Sequence, residues 1–164
     1  MKKLLLFFIL IYLVGCASLR DQSNETAIID CPRVFFSSEN NIYIDGANKD
    51  LDFEKVNYRA SLNNFGFVGN CISYDDYNNY NLEVLILAEP MNPKNKNISL
   101  PIFVFLYDLE NNLIDRQYFR VEKNLKYNSE LSDYEITEVI ANLNIFDDFK
   151  KELGSIIVGF VNIN

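Results

Sequence analysis

The sequence predicts an all-β protein, an antiparallel β-sandwich of seven or eight strands with little helix. Three observations favour this class: apolar and polar residues alternate in most segments after residue 30, these segments are short, and asparagine-, proline- and glycine-rich stretches separate them. Alternation with a period of two is typical of a strand that buries one face. Regularly spaced short strands in a single domain favour a sandwich, and a small closed barrel is the alternative.

The first strands of the domain follow residue 31. "RVFF" and "IYI" predict two short strands, and "DGANKD" predicts the next turn. In "KVNYRASL", Val56, Tyr58, Ala60 and Leu62 share one parity and are expected to point into the core. The apolar parity changes within "NNFGFVGNC", so we expect a bulge or turn over residues 63–66.

Two later segments, "LEVLILAEP" and "LPIFVFLYD", are apolar at both parities, which predicts central strands covered on both faces. The proline-containing "MNPKNKNIS" between them is expected to be a loop. Residues 110–112 predict the turn of a hairpin. Five residues of its second strand have an expected direction: Leu113, Phe119 and Val121 inward, Arg116 and Arg120 outward.

The segment over residues 134–145 fits two structures. Val139, Ala141, Leu143 and Ile145 alternate as in a strand, but the same segment also has helical spacing and a possible capping box before it. Its β-branched residues favour the strand. After it, "FDDFKKELG" predicts a helical turn ended by Gly154, and "SIIVGFVNI" predicts a last buried strand.

The amino terminus has the features of a bacterial lipoprotein signal. Two lysines precede an uncharged run, Leu4–Gly15, which is shorter than the roughly 20 residues that a membrane span needs. The sequence "LVGC" resembles a lipobox, and this resemblance implies a diacylglycerol on the thiol of Cys16, cleavage after Gly15, and acylation of the new amino terminus with a fatty acid such as palmitate. An ordinary signal peptide with an incidental cysteine is the alternative.

These features divide the chain into a signal peptide (1–15), a lipidated tether (16–30) and a β-sandwich domain (31–164). Two or more acyl chains anchor a protein stably to a bilayer. Ala17 stands where an aspartate would mark retention in the inner membrane. We therefore expect a lipid anchor in the outer membrane, with the domain facing the periplasm.

Composition narrows the function. The chain has a net charge of −8, and without Lys2 and Lys3 it has 13 basic against 23 acidic residues, or −10. Such a charge disfavours nucleic acid as a partner. The chain has no histidine, which removes the usual general base and the commonest metal ligand. We expect no enzymatic activity, no metal and no cofactor.

Two cysteines remain after Cys16. In an exported domain, Cys31 and Cys71 most simply form one disulfide. Closing a loop of about 40 residues would stabilise the fold by about 4 kcal/mol in the chain-entropy model. Two buried free thiols and a redox pair are the alternatives, although the close spacing of a redox pair is absent.

Several stretches together resemble a group of uncharacterised proteobacterial lipoproteins. They are "CPRV" at the start of the domain, "GNC" at residues 69–71, "LPIFVFLYD" and the closing "GSIIVGFVN". The resemblance implies an immunoglobulin-like sandwich with a disulfide from its first strand. It implies no activity.

One candidate contact surface stands out. "YDDYNNYN" carries Tyr74, Tyr77 and Tyr80, and exposed tyrosines among small polar residues can contact a protein or a sugar. The alternative is a hairpin loop with its tyrosines folded onto the edge of the sandwich.

Other polar groups favour structural roles. "DGANKDLDFE" has Phe53 where an EF-hand-like loop would need its glutamate, which favours a solvated acidic turn over a Ca²⁺ site. The adjacent carboxylates at residues 75–76 and 147–148 would point to opposite faces of a strand, so they are not an acid/base pair. Arg116 and Arg120 could bind an anion, or pair with Glu122 or Glu135.

Two functions fit these features. One is a membrane-anchored, non-catalytic scaffold or accessory module that contacts another envelope protein, which predicts an exposed apolar or aromatic patch. The other is a lipoprotein that binds a small apolar or sugar ligand, which predicts a cavity of roughly 300 Å³ or more between the sheets. The strands that are apolar on both faces favour the first.

Overall fold

The computed structural model describes residues 26–46, 52–93, 96–148 and 152–162, and these form an antiparallel β-sandwich, as the sequence predicts. The described residues form twelve strands, more than expected, because several very short strands extend the sheets. The strands are β1 (Ala27–Ile29), β2 (Arg33–Phe36), β3 (Ile42–Ile44), β4 (Tyr58–Phe67), β5 (Cys71–Ser73), β6 (Asn78–Pro90), β7 (Asn97–Asp108), β8 (Leu113–Asn124), β9 (Lys126–Asn128), β10 (Asp133–Glu135), β11 (Thr137–Asp147) and β12 (Leu153–Phe160).

The six-stranded sheet is built around β6. Strand β11 pairs along one edge of β6, while β4 and β5 share the other edge and carry β3 and β1 in turn. The pairing of β4 with β6 shifts register between Leu62 and Asn64, which confirms the expected bulge. Strand β1 lies within the segment predicted to be a tether, so the sheet begins at Ala27, before Cys31.

The four-stranded sheet has the order β2-β12-β7-β8. Strand β2 is parallel to β12, and the other pairs are antiparallel. The β7–β8 hairpin turns where the sequence predicts, with Asn111 at a φ of 64°. One carboxylate oxygen of Asp108 closes the turn, since it accepts the backbone N–H groups of Glu110 (3.0 Å) and Asn112 (2.8 Å).

A bulge in this hairpin overturns one expected direction. The β7–β8 register shifts between Leu106 and Tyr107, which turns Leu113 outward to 37% exposure. Ile114 packs against the core instead, together with Phe119 and Val121. The prediction for Leu113 was therefore wrong, whereas Phe119 and Val121 face the core and both arginines of β8 are exposed.

The space between the sheets is filled by alternating side chains from both. Strand β11 resolves the ambiguity over residues 134–145, because its odd-numbered apolar residues are buried and its even-numbered residues are exposed. The inward residues of β4 behave as predicted. The fully buried side chains that anchor both sheets include Tyr58, Leu82, Ile86, Leu100, Ile102, Leu143, Ile145 and Ile156.

One buried tyrosine joins the two sheets. The Tyr58 hydroxyl on β4 donates to the backbone carbonyl of Ser99 on β7 (3.0 Å) and accepts the Ser99 N–H (2.9 Å). Strand β12 has ended by then, since its last backbone bond to β7 reaches Pro101. The hydroxyl therefore takes the place of the strand partner that β7 lacks. Burial raises the pKa of the Tyr58 phenol well above its usual value.

Two further predictions need correction. Strands β6 and β7 are central but not covered on both faces, because their outward residues Leu85, Leu87, Phe105 and Tyr107 remain partly exposed. The helical turn over residues 146–154 is wrong at both ends, since Phe146 belongs to β11 and Gly154 to β12. Residues 149–151 of that segment, residues 47–51 after the turn at Asp45, and the predicted signal peptide and Cys16 lie outside the described residues.

Candidate interaction surface

The outward face of the four-stranded sheet carries a contiguous group of aromatic and arginine side chains, which we call the aromatic–arginine face. Cross-strand register places them side by side: Phe35 opposite Ile157, Ile157 opposite Phe105, Phe105 opposite Arg116, and Phe103 opposite Tyr118. Phe35 is 50% exposed and Tyr118 is 63% exposed. The face comprises Arg33, Phe35, Phe103, Phe105, Tyr107, Arg116, Tyr118, Arg120 and Ile157.

Stacking orders the centre of this face. The rings of Phe103 and Phe105 stack with centroids 4.3 Å apart, and the Arg116 guanidinium lies 5.6 Å from the centroid of the Phe105 ring. Phe103 lies flat over Gly159 of the neighbouring strand, where a Cβ would overlap its ring. Glycine thus lets the ring lie against the sheet. A face held by ring stacking loses little side-chain entropy when it is covered.

Charge on this face is opposite to that of the whole chain. Arg33, Arg116 and Arg120 are three of the five arginines of the sequence, whose net charge is −8. Within the described strands, the outward positions of this sheet hold no lysine, and Glu122 is their acidic residue. Aromatic residues and arginine are enriched in protein interfaces, while lysine is depleted there.

Neither arginine of β8 makes the ion pair that the sequence suggests. Arg116 stacks on Phe105, and an Arg120 guanidinium nitrogen lies 3.4 Å from the Ser99 hydroxyl. Glu135 instead pairs with Lys126 at 3.1 Å. The reason is register, because Glu135 lies in the separate β9–β10 hairpin.

The outward face of the six-stranded sheet has a different character. Leu85, Leu87 and Ile140 form a small apolar centre, since Ile140 pairs with Leu85 and Leu87 neighbours it on β6. Glu83 and Glu138 flank this centre. This face is acidic and carries fewer aromatic side chains than the other sheet.

The predicted tyrosine surface is only partly assembled. Tyr74 and Tyr77 stack with centroids 4.6 Å apart, and Tyr77 also meets Phe146 edge-on at 5.7 Å. Tyr80 is only 2% exposed and belongs to the core, so its place in a contact surface was wrong. Burial, together with the nearby Asp147 carboxylate, raises the pKa of Tyr80 to about 12.

Tyr74 and Tyr77 line an open groove of about 880 Å³ at one end of the sandwich. The groove is bordered by the β1–β2 and β5–β6 connections and by the ends of β11 and β12. Acidic residues dominate its charged lining, and Arg33 reaches it from the aromatic–arginine face. The charged lining residues are Asp30, Arg33, Asp75, Asp76, Asp147 and Glu152.

The disulfide predicted from the cysteine count is present at this groove. Cys31 and Cys71 are bonded, with their Cα atoms 5.4 Å apart. The bond ties the β1–β2 connection to the first residue of β5. It therefore holds the start of the domain against the edge of the six-stranded sheet.

The remaining polar candidates form no reactive arrangement. Asp147 is buried while Asp148 is exposed, as expected for neighbours on a strand. Among the described residues, no group of three cysteine, aspartate or glutamate side chains is placed to hold a metal ion. Within the residues that the structure describes, no helix has the length and apolarity needed to cross a membrane.

Comparison of the chain with protein-family models, with curated protein sequences and with solved structures finds no match in any of the three. The interaction surface therefore has to be interpreted from its own chemistry. The sequence did not reveal the aromatic–arginine face, because a strand that is apolar on both faces looks the same whether its outer face is covered or open. The predicted outward direction of Arg116 and Arg120 could have indicated this face, since exposed residues on β8 imply exposed neighbours on β7.

Proposed function

We propose that this protein is a membrane-anchored, non-catalytic lipoprotein of the cell envelope that binds another envelope protein through the aromatic–arginine face. The observation that carries the proposal is the combination of exposed Phe35 and Tyr118 with three arginines on an otherwise acidic domain. The few residues that carry most of the binding energy in protein interfaces are enriched in tryptophan, tyrosine and arginine. The partner is a protein with an acidic surface around an apolar centre, because such a surface complements both the rings and the guanidinium groups.

The lipid anchor of the proposal rests on the lipobox-like "LVGC" ending at Cys16. The acyl chains would hold the domain at the outer membrane, facing the periplasm, while the tether gives it reach. Replacing Cys16 with serine in the full chain should release the protein from the membrane fraction or leave it uncleaved. The matched control is Cys31→Ser/Cys71→Ser, which removes the disulfide and should leave membrane attachment intact. Unchanged attachment and processing of Cys16→Ser would show that the anchor is not at this residue.

The partner is tested by isolating the tagged full chain from detergent-solubilised envelopes and identifying co-purifying proteins by mass spectrometry. We expect a stoichiometric acidic partner that is lost with Phe35→Ser/Tyr118→Ser. The matched control is Ile136→Ser/Ile140→Ser, since these isoleucines are 57% and 58% exposed away from the aromatic–arginine face. A partner retained equally by both double variants would refute the assignment of this face.

A second candidate function is the binding of a small ligand in the groove beside Tyr74 and Tyr77. Its volume of about 880 Å³ is in the range of small-molecule sites, and a stacked tyrosine pair can contact a sugar ring. The groove lies at the end of the sandwich, not between the sheets as the sequence suggested. A small molecule that co-purifies in the absence of any protein partner would favour this function over the first.

A further inference from the structure

Strand β8 is a long strand at the edge of the four-stranded sheet. It spans twelve residues, pairs with β7 along one side, and pairs with no other strand within the described residues. The opposite edge strand, β2, has only four residues. An unpaired edge of this length presents a row of backbone N–H and C=O groups that another strand can pair with.

The charges of β8 are arranged symmetrically with opposite signs around Phe119. Arg116 lies as many residues before Phe119 as Glu122 lies after it. Asp115 and Lys123 are placed in the same way, one residue further out on each side. None of these four side chains forms an ion pair with another described residue. Asp115 accepts a hydrogen bond from the Gln117 side chain (2.9 Å) and Arg116 stacks on Phe105, but the charges of all four remain without an opposite charge from this copy of the chain within the described residues.

We propose that two copies of this chain associate through antiparallel pairing of their β8 strands, with the two-fold axis at Phe119. In this register Arg116 lies opposite Glu122 of the second copy, and Asp115 lies opposite Lys123 of the second copy. Each pair occurs twice because the axis is two-fold. Residues directly opposite in an antiparallel pair lie on the same face, about 5 Å apart, so opposite charges attract.

The neighbouring registers are unfavourable. Moving the axis to Tyr118 sets Arg116 opposite Arg120 of the second copy, and moving it to Arg120 sets that arginine opposite itself. If the axis instead lay between two residues, inward residues of one copy would pair with outward residues of the other. The charges therefore select the Phe119 register over its neighbours. In that register Tyr118 also lies opposite Arg120, a favourable cation–π pair.

This dimer goes beyond the proposed partner binding and does not depend on it. Pairing of the β8 strands would join the two four-stranded sheets edge to edge. The two aromatic–arginine faces would then lie side by side on one continuous surface. The two associations share the side chains of Arg116, Tyr118 and Arg120. The backbone edge of β8 serves only the dimer, and Phe35 on the opposite edge strand serves only the binding of a separate protein.

Charge exchange tests the register. Two full chains with different carboxy-terminal tags are co-expressed and recovered in detergent through one tag, and the other tag is measured. When both copies carry Arg116→Glu, the introduced glutamate lies opposite Glu122 at both contacts. When both copies carry Glu122→Arg, the introduced arginine lies opposite Arg116 at both contacts. We expect recovery of either same-variant pair to fall about tenfold or more below that of the unchanged chain, since two attractive pairs become repulsive.

The decisive sample combines the two single variants. When a copy with Arg116→Glu faces a copy with Glu122→Arg, the two introduced residues meet at one contact and have opposite charges. The unchanged Glu122 and Arg116 meet at the other contact and also have opposite charges. Recovery of the second tag should therefore return to the level of the unchanged chain. Within one copy these residues are six positions apart, roughly 20 Å along the strand, so they cannot compensate each other there. Binding to the complementary variant also shows that each variant is folded.

Arg33→Glu is the matched control, because Arg33 lies on the same face but on the opposite edge strand, β2. Its self-association should equal that of the unchanged chain. The proposal is overturned if the unchanged copies do not associate, if the mixed variants fail to recover, or if Arg33→Glu weakens association as strongly as Arg116→Glu. If the two copies do not associate, the prediction that Phe35→Ser/Tyr118→Ser loses an envelope partner still stands, so the two proposals can be refuted separately.

Discussion

Replacing Tyr58 with phenylalanine removes a single oxygen atom at a point where a buried side chain hydrogen-bonds one sheet to the other. The ring remains the same size, so the core keeps its packing. The backbone N–H and C=O of Ser99 lose the hydroxyl that lies 2.9 and 3.0 Å away. Because β12 ends before it can pair with Ser99, no neighbouring strand within the described residues replaces the lost partner.

The expected cost follows from these two groups. A buried donor or acceptor left without a partner costs about 1–3 kcal/mol. Ser99 is only half-buried, so water can partly solvate its carbonyl. We expect Tyr58→Phe to lower the free energy of unfolding by about 2 kcal/mol, which corresponds to roughly 5–8 °C in Tm for a domain of this size.

Equilibrium unfolding in urea, followed by far-ultraviolet circular dichroism and tyrosine fluorescence, measures this difference. Tyrosine fluorescence is usable because the chain has no tryptophan. Tyr118→Phe is the control, since this hydroxyl is exposed and should change stability by less than about 0.5 kcal/mol. A loss of less than about 0.5 kcal/mol in Tyr58→Phe would refute the view that its hydroxyl substitutes for a strand.

Three further predictions concern stability. Replacing Cys31 and Cys71 by serine should lower the free energy of unfolding by about 4 kcal/mol, measured as a lower urea midpoint, and peptide mapping without reduction should find the two cysteines linked in the unchanged protein. Burial and a neighbouring carboxylate raise the pKa of Tyr80 to about 12, so the folded state holds its proton more tightly than the unfolded chain. The stabilisation is complete below about pH 10 and should be lost between about pH 10 and 12, as urea midpoints across that range will show; a flat profile would contradict it. Gly159→Ala should cost about 1–3 kcal/mol, because the new methyl group overlaps the Phe103 ring, and adding Phe103→Leu should recover part of the loss; equal losses in both variants would contradict the overlap.

Local pattern was sufficient for most of the strands. The alternation in Tyr58, Ala60 and Leu62 predicted the inward face of β4, because successive side chains of a strand point to opposite faces of its sheet. The break in that alternation also located the bulge. The direction of Leu113 was wrong because a bulge in the partner pairing, and not the pattern of β8 itself, decides which way it points.

The candidate surface depended on information that no single segment contains. Tyr74, Tyr77 and Tyr80 follow each other closely in sequence, but Tyr80 enters the core because β6 has already begun at Asn78. The residues of the aromatic–arginine face come from four strands, of which only β7 and β8 are neighbours in sequence. Their neighbourhood is a property of strand order, which sequence pattern does not encode.

Sequence by itself determined the all-β class, the alternating core positions, the acidic charge and the single disulfide, since each depends on residue type and spacing along the chain. The tertiary structure alone decided which apolar faces are covered. The outward face of a strand is fully covered only if another layer lies against it, and this sandwich has two layers, so the outward rings of Phe105 and Tyr107 on β7 stay partly exposed to a partner.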